Sequence, residues 1–471
     1  MQNSTPIIDL HVHSSLKPYG NSFYSNTKIY DYTDPACIWF NDRRARTDNL
    51  FEEILGICRY RQSDFLSLAL GQIKIAFVSL YPVEKEFFDI RDGNFMKRFE
   101  ILLAEFASML GKKRISNIRE HNFDYFKDLC KEYSFLRRLH GEDIPVGGYY
   151  MPQSAAHLTQ KANLLIIPSI EGCHALCNGK DPRNPSAWDS IEDNIAVIKS
   201  WPSPPLFVTF AHHFYNGLCT HAKSLFNMSG KLLDQEFGMR EHKWEHSDGL
   251  PPISTIGKKV LQLLLSRTNG RRILIDVKHM SLEARREYYK MLANEYSSEN
   301  IPVIWSHGAL NLNNDKCEIN MFLDTDVSVI YKTSGLIGIE MDQRILGYDN
   351  NRFWKKLRSI LRPRHKAYYE AAYFWKQVIT IAEYAYTTGY DDPWECIALG
   401  SDYDGIINPL NSYPDASSLS ILYQYLVVYL TEYWEGPSPV IPKKISGPDA
   451  ADIVYRIMYK NAFEFINKHY L

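Results

Sequence analysis

Eight short runs rich in β-branched and apolar residues recur along the chain, and stretches compatible with helix separate them. Turn residues bound each run, which is typical of parallel strands buried on both faces. The runs are Pro6–His11, Ile73–Leu80, Asn163–Ile170, Leu206–His212, Arg272–His279, Ile301–His307, Ser334–Met341 and Glu395–Ser401. Their number and alternation predict an α/β fold, a (β/α)8 TIM barrel, with an open doubly wound sheet as the rival fold.

Apolar positions at helical spacing predict the connecting helices. These helices are Phe95–Gly111, Ser186–Ser200, Thr255–Thr268 and Leu282–Tyr296. Three gaps between the runs are longer than one crossover helix needs, and they indicate inserted helices and long active-site loops. We therefore expect a single barrel domain over residues 1–471, with insertions near 82–160, 214–249 and 345–390.

Composition limits the partners and the compartment. Apolar residues make up 45% and charged residues 23% of the chain, which is the usual mix of a globular protein. A net charge of −2 provides no broad basic surface, so we expect no nucleic-acid partner. Eight cysteines without a CxxC pair indicate a reduced, cytoplasmic setting. The sequence shows neither a leader nor a membrane-length apolar run, so we expect no membrane association.

Histidine, glutamate or aspartate residues, which commonly bind metals, lie at or just after the ends of five of the eight runs. The first run ends in His11-Val12-His13, and two imidazoles at this spacing on an extended segment point to the same side. Four later runs end near Glu171, His279, His307 and Asp402. A histidine at one strand end is usually just hydrogen-bonded or exposed, but barrel strand ends converge on one mouth. The joint pattern therefore predicts a metal site suited to zinc, with manganese or iron as alternatives.

Four segments carry a resemblance to a known family. They are Ser169-Ile170-Glu171-Gly172-Cys173-His174, then Asp248-Gly249-Leu250 with Ile275-Asp276-Val277-Lys278-His279-Met280-Ser281, then Pro302-Val303-Ile304-Trp305-Ser306-His307, and Gly400-Ser401-Asp402-Tyr403-Asp404-Gly405. Over most of the barrel the chain resembles the membrane (renal) dipeptidases of the amidohydrolase superfamily. The resemblance implies a binuclear metal-dependent hydrolase that cleaves a small peptide or amide bond by a metal-bridging hydroxide.

The same resemblance implies roles for individual residues. Two zinc ions per chain would share the Glu171 carboxylate, with His279 and His307 completing one site and His11, His13 and Asp402 the other. Asp402 would take the proton of the attacking water and deliver it to the leaving amine. His212 would stabilise the tetrahedral intermediate. His213 is its adjacent competitor, because strand alternation would let only one of them face the mouth. His174 is either a residue that orients Glu171 or a metal ligand, or an ordinary loop histidine.

Two departures from the family pattern concern the ligands and the substrate. The family usually has His-x-Asp where this chain has His11-Val12-His13, so one anionic ligand is replaced by a neutral one. The family also commonly supplies an arginine for the substrate carboxylate after its second histidine, but Gly308–Asp326 contains none. Arg344 or Lys332 could replace it, although a lysine lacks the forked guanidinium.

Parts of the sequence also fit other functions. Asp9-Leu10-His11-Val12-His13-Ser14 is similar to the opening motif of the polymerase-and-histidinol-phosphatase phosphoesterases, but their later Thr-Asp-His and Asp-x-His motifs are missing. A lactone, an acyl amino acid or another amidohydrolase substrate is a further alternative. A catalytically inactive metal-binding barrel is the non-enzymatic one. A dipeptide or related small amide is the preferred substrate, and a homodimer is left open.

Overall fold

The structure is a computed structural model of the chain. The residues that it describes are 5–42, 58–88, 108–138, 148–153, 155–158, 164–179, 181–224, 249–312, 318–347, 366–446 and 449–470. Much of the three expected insertions, and most of the helix predicted at Phe95–Gly111, lie outside these ranges. The single-domain organisation stays a prediction.

A closed barrel of eight parallel strands forms the centre of the fold. With one further short strand, the described part of the chain contains these strands: β1 (Ile7–Val12), β2 (Ile73–Leu80), β3 (Tyr149–Tyr150), β4 (Leu164–Glu171), β5 (Phe207–Thr209), β6 (Leu274–Asp276), β7 (Ile304–Trp305), β8 (Leu336–Ile339) and β9 (Ile397–Leu399). They are ordered β2-β1-β9-β8-β7-β6-β5-β4, and pairing of β2 with β4 closes the ring. The short β3 pairs with the start of β4 and adds to the edge of that strand. Every predicted run contains a barrel strand, so the TIM-barrel prediction is confirmed.

Helices connect the strands. They span Leu16–Asn21, Phe65–Leu70, Lys112–Arg119, Tyr125–Arg137, Ala155–Leu158, Ile191–Lys199, Thr255–Leu265, Leu282–Glu295, Ser328–Lys332, Lys366–Thr387, Leu419–Glu435, Lys443–Ser446, Ala450–Tyr455 and Asn461–His469. Serine caps start two of the predicted ones: Ser254 Oγ accepts a hydrogen bond from Gly257 N–H, and Ser281 Oγ accepts one from Ala284 N–H. The predicted helix Ser186–Ser200 is instead a 3₁₀ turn at Pro185–Trp188 followed by Ile191–Lys199.

Burial on both faces explains why the sequences of the strands are continuously apolar. All eight residues of β4 and all six of β1 are buried, because helices cover the outside of the barrel and side chains fill its inside. Strand and helix residues from both ends of the chain join one hydrophobic core cluster. Within the described part of the chain, no helix combines the length and the apolarity that crossing a bilayer requires. The polar residues that follow the strands therefore all meet at one end of a rigid, packed scaffold.

Candidate metal centre

Each predicted ligand lies at the carboxyl end of a barrel strand. His11 is the last residue but one of β1, His13 directly follows that strand, and Glu171 is the last residue of β4. The other three candidates come two or three residues after their strands: His279 after β6, His307 after β7 and Asp402 after β9. All six are between 0% and 7% exposed. The barrel thus brings together residues that are up to 391 positions apart in the sequence, since His11 and Asp402 belong to the first and last strands.

One group of ligand atoms surrounds Glu171 from the side of β1 and β9; we call His11, His13 and Asp402 the carboxylate half. His13 Nε2 lies 2.8 Å from Glu171 Oε2, and His11 Nε2 lies 3.5 Å from Glu171 Oε1. Asp402 Oδ1 lies 3.4 Å from His13 Nε2 and 3.8 Å from His11 Nε2. Two imidazole nitrogens that are 3.1 Å apart therefore each lie within 4 Å of two different carboxylates, a spacing that suits donor atoms around a cation.

The second group approaches Glu171 from β6 and β7; we call His279 and His307 the imidazole half. Their Nε2 atoms lie 3.9 and 3.8 Å from Glu171 Oε1. The ligand atoms of Glu171, His279 and His307 are within 4.8 Å of one another, and so are those of His11, His13 and Glu171. Glu171 is the member common to both groups. This shared carboxylate is what a pair of cations would need as a bridge.

The donor set fits divalent cations on physical grounds. Glu171 and Asp402 are both buried, and both lie close to His11 and His13. Burying two carboxylates in this way costs free energy unless positive charge compensates it. Burial raises the pKa of Glu171, but His212, His13 and His11 outweigh that effect and hold its pKa well below the usual value. A site that keeps its carboxylate ionised while burying it suits imidazole and carboxylate ligation of zinc, manganese or iron.

The backbone is strained at two of these ligands. His279 has φ 67° and Asp402 has φ 61°, which places both in the left-handed region that residues other than glycine seldom adopt. Such conformations persist where the surroundings impose them, and they concentrate at functional sites. Both residues come three positions after the end of a strand; His279 Nε2 lies 3.9 Å from Glu171 Oε1, and Asp402 Oδ1 lies 3.4 Å from His13 Nε2. Both residues are therefore held in place by the fold.

His212 lies beside the same carboxylate and has a partner of its own. Its Nε2 is 3.4 Å from Glu171 Oε1, and its Nδ1 is 2.7 Å from Glu84 Oε1. Burial lowers the pKa of His212, but the charges of Glu84 and Glu171 outweigh it, and the net pKa is raised. His212 therefore donates from Nδ1 to Glu84 and directs Nε2 toward Glu171 and the cavity, and its raised pKa favours the form that carries hydrogen on both ring nitrogens.

The expectation that only one of His212 and His213 faces the mouth is wrong, because both line the cavity. Strand alternation does not apply to them, since β5 ends at Thr209. His213 Nδ1 pairs with Ser224 Oγ at 2.6 Å. His174 does not reach Glu171: its Nε2 donates to the carbonyl of Pro82 at 2.7 Å.

A wall of paired charges forms another side of the cavity, which has a volume of about 110 Å³. Lys278 Nζ lies 3.4 Å from Glu340 Oε2, and the Arg344 guanidinium makes a forked contact with Asp342, including Nε at 3.0 Å from both carboxylate oxygens. Burial raises the pKa of Glu340 to about 8, although Lys278 opposes this. Of the two cations predicted to replace the missing arginine, Arg344 lines this wall and Lys332 is exposed at a helix end elsewhere.

Glu84, Lys278 and Glu340 are among the site residues that the sequence patterns did not predict. Glu340 directly follows β8 and Glu84 lies four residues after β2, so the signal of polar residues after apolar runs was present for both. Lys278 was visible only as the neighbour of His279. Strand-end position could have found all three, but their partners could not be read from the sequence.

Solved structures share this fold. The dipeptidase AC, a metallopeptidase of family M19, superposes with a TM-score of 0.51 at 12% identity, with 99% of each chain covered. A metallopeptidase from Rhodobacter sphaeroides, liganded with a phosphinate mimic of the dipeptide L-Ala-D-Ala, gives 0.51 at 12% identity over 100% of both chains. The probable dipeptidase PvdM from Pseudomonas aeruginosa gives 0.51 at 15% identity over 87% of this chain and 89% of its own. No family model matches the chain, and no curated protein matches it in sequence.

Proposed function

We propose that the chain is a divergent relative of the M19 dipeptidases and acts as a binuclear metal-dependent hydrolase on dipeptides or closely related small amides. The observation that carries the proposal is the meeting of four histidines and two carboxylates, Glu171 and Asp402, at the carboxyl end of the barrel. Three of the solved structures with this fold are metallopeptidases or a probable dipeptidase, which supports the same reaction class.

The proposed metal assignment follows the two halves. Glu171 would be the bridge, the carboxylate half would hold one ion and the imidazole half the other, with zinc as the expected metal and manganese or iron as alternatives. Two cations held there would make hydroxide available near neutral pH and polarise a scissile carbonyl. The lack of an aspartate at position 13 leaves Asp402 and Glu171 as the two anionic ligands of the carboxylate half.

The chain's own residues would perform the proton transfers. Asp402, whose Oδ1 lies 3.4 Å from His13 Nε2 and 3.8 Å from His11 Nε2, would accept a proton and later pass it to the leaving amine. His212, held at Nδ1 by Glu84, would donate from Nε2 to the oxygen that gains negative charge as the amide carbonyl becomes tetrahedral. Because Glu84 fixes the ring before substrate arrives, no reorientation is needed during the reaction.

Arg344 would bind the substrate carboxylate. It is the arginine of the charged wall, its side chain is 34% exposed, and a guanidinium already forked against Asp342 has remaining N–H groups for a second carboxylate. Phe87, Ile345 and Ile407 supply apolar surface in the same cavity, which suits small uncharged side chains on the substrate.

The seven cysteines described are all free thiols, and this chemistry suits the reducing cytoplasm that we keep as the proposed location. Dimerisation and the absence of nucleic-acid and membrane partners stay predictions.

Hydrolysis by the metal-loaded protein tests the proposed function. The protein is freed of metal, reloaded with Zn²⁺ or Mn²⁺, and assayed against dipeptides of both stereochemical series. N-acetyl amino acids, lactones and phosphate monoesters are assayed beside them. We expect turnover of dipeptides above that of the other classes, and a rise in KM for Arg344→Lys. Turnover of phosphate esters alone would favour the phosphoesterase alternative, and tight metal binding without any turnover would favour the inactive barrel.

A further inference from the structure

One buried hydroxyl stands between the two halves of the metal centre. Ser306, which precedes His307 after β7, is 0% exposed. Its Oγ lies 3.1 Å from His11 Nδ1 and 2.8 Å from His307 Nδ1. The rings of these two histidines are neighbours, with centroids 4.0 Å apart. A single oxygen atom thus contacts one ligand of the carboxylate half and one of the imidazole half.

The Ser306 hydroxyl donates its hydrogen bond to Asp276. Ser306 Oγ lies 2.6 Å from Asp276 Oδ2, and Asp276 also accepts from Thr209 Oγ1 at 2.7 Å and from the Lys278 backbone N–H at 3.1 Å. A carboxylate surrounded by donors can only accept, so Ser306 donates its proton to Asp276. The serine oxygen keeps two lone pairs, and the two imidazoles are the groups placed to use them.

The direction of these hydrogen bonds determines the tautomers. Because Ser306 Oγ has already donated its proton, it can only accept from His11 and His307, so each ring carries its hydrogen on Nδ1. A neutral imidazole with hydrogen on Nδ1 has its free lone pair on Nε2. Those Nε2 atoms are the ones that lie 3.5 and 3.8 Å from Glu171 Oε1.

We propose that Ser306 is a positioning residue that prepares both halves of the metal centre at once, by fixing His11 and His307 as Nε2 ligands through one hydroxyl held by Asp276. The inference rests on the proposed metal centre, but it does not depend on which substrate is cleaved. It makes the two cation sites mutually dependent, since removal of one oxygen leaves an unpaired N–H on a ligand of each half.

Metal affinity of Ser306→Ala tests the proposal. An alanine leaves both Nδ1–H groups buried without an acceptor and favours the tautomer that blocks Nε2. We expect the affinity for Zn²⁺, measured by competition with a chelator, to fall about 10- to 100-fold at both sites together. Ser79→Ala is the matched control, because Ser79, on β2, is likewise a 0% exposed serine, and we expect it to retain wild-type affinity. Loss of only one ion, or unchanged affinity, would overturn the proposal.

A second measurement uses the wild-type protein and remains decisive if Ser306→Ala does not fold. Long-range ¹⁵N–¹H spectra of metal-free protein labelled at histidine report which ring nitrogen carries hydrogen, with His11→Gln and His307→Gln used for assignment. We expect Nδ1–H for both residues, and Nε2–H on either would contradict the inference. A protein that binds no cation overturns this inference and the metal centre together, whereas a loaded protein without dipeptide turnover refutes only the proposed reaction.

Discussion

The carboxylate half and the imidazole half share Glu171 but differ in how closely their atoms approach it. In the carboxylate half, His13 Nε2 hydrogen-bonds Glu171 at 2.8 Å, and the Nε2 atoms of His11 and His13 are 3.1 Å apart. In the imidazole half, His279 and His307 stand 3.9 and 3.8 Å away from the same carboxylate. The ligands of the first half make hydrogen bonds to one another and to Glu171, whereas the second half is positioned by its strands and, at His307, by the hydrogen bond to Ser306.

The two halves also differ in protonation, and this is the more instructive contrast. Burial lowers the pKa of His13, but Glu171 and Asp402 outweigh it and raise that pKa to about 10. Burial holds the pKa values of His279 and His307 well below the usual value. Lys278 and neighbouring histidines lower both pKa values further. At neutral pH the metal-free carboxylate half therefore holds a proton that a cation must displace, and the imidazole half does not.

Removal of the shared carboxylate gives the largest expected effect. Glu171→Gln deprives both halves of their common anionic ligand, so we expect both ions to be lost and activity to fall by at least about 100-fold, because even outer-shell changes cost 10- to 100-fold. Metal content by mass spectrometry and kcat/KM measure this. Glu86→Gln is the control, since Glu86 is a buried glutamate that pairs with Arg183. Retention of either ion would show that the halves do not share Glu171.

Substitution of one histidine at a time tests whether the two halves bind metal ions separately. His279→Ala removes one of the two imidazoles of its half, and we expect the metal content to fall from two ions to one, with the remaining ion in the carboxylate half. His13→Ala should leave the other ion instead. His121→Ala, at an exposed position, is the matched control and should keep both. Full metal content in His279→Ala would remove this residue from the ligand set.

Asp402→Asn tests chemistry with the metal in place. The amide oxygen can still coordinate weakly, but it cannot take up and release a proton, so we expect most metal to be retained while kcat falls by about 10²- to 10⁴-fold. Unchanged turnover at full metal content would exclude Asp402 from proton transfer.

A pH series compares the halves directly in the wild-type protein. The native pKa of His13 lies near 10 and the unfolded value near 6.5. The protonated contact therefore stabilises the metal-free protein fully below pH 6.5, and this contribution is lost as pH rises toward 10. Over the same window we expect metal affinity of the carboxylate half to rise by up to about tenfold per pH unit, while that of the imidazole half stays flat. Calorimetric titrations at pH 7 and 9 measure both, and a flat response in both halves would contradict the contrast.

The barrel was predictable because burial on both faces imposes continuous apolar runs, and each of the eight runs contains a strand. The two-residue β3 was missed, since two tyrosines carry no periodicity. The six metal-ligand candidates were predictable as a group because parallel strands end on the same side of a barrel. Contacts such as Glu84 with His212, which are 128 residues apart, depend on loops whose path the sequence does not specify.

The error at His212 and His213 has the same origin. Alternation was applied to a segment predicted as strand up to residue 212, but pairing of β5 with β6 ends at Thr209. Beyond that point the chain turns, and both imidazoles reach the cavity. Strand length, and with it the direction of each terminal side chain, is set by the neighbouring strands and could not be read from one run alone.

The most direct test of the shared-carboxylate centre is a crystal structure of the zinc-loaded protein with anomalous diffraction recorded at the zinc edge. We expect two anomalous peaks at the barrel mouth, one on each side of Glu171, with His11, His13 and Asp402 at one and His279 and His307 at the other. A single peak without contact to Glu171, or zinc bound only elsewhere on the protein, would contradict the account.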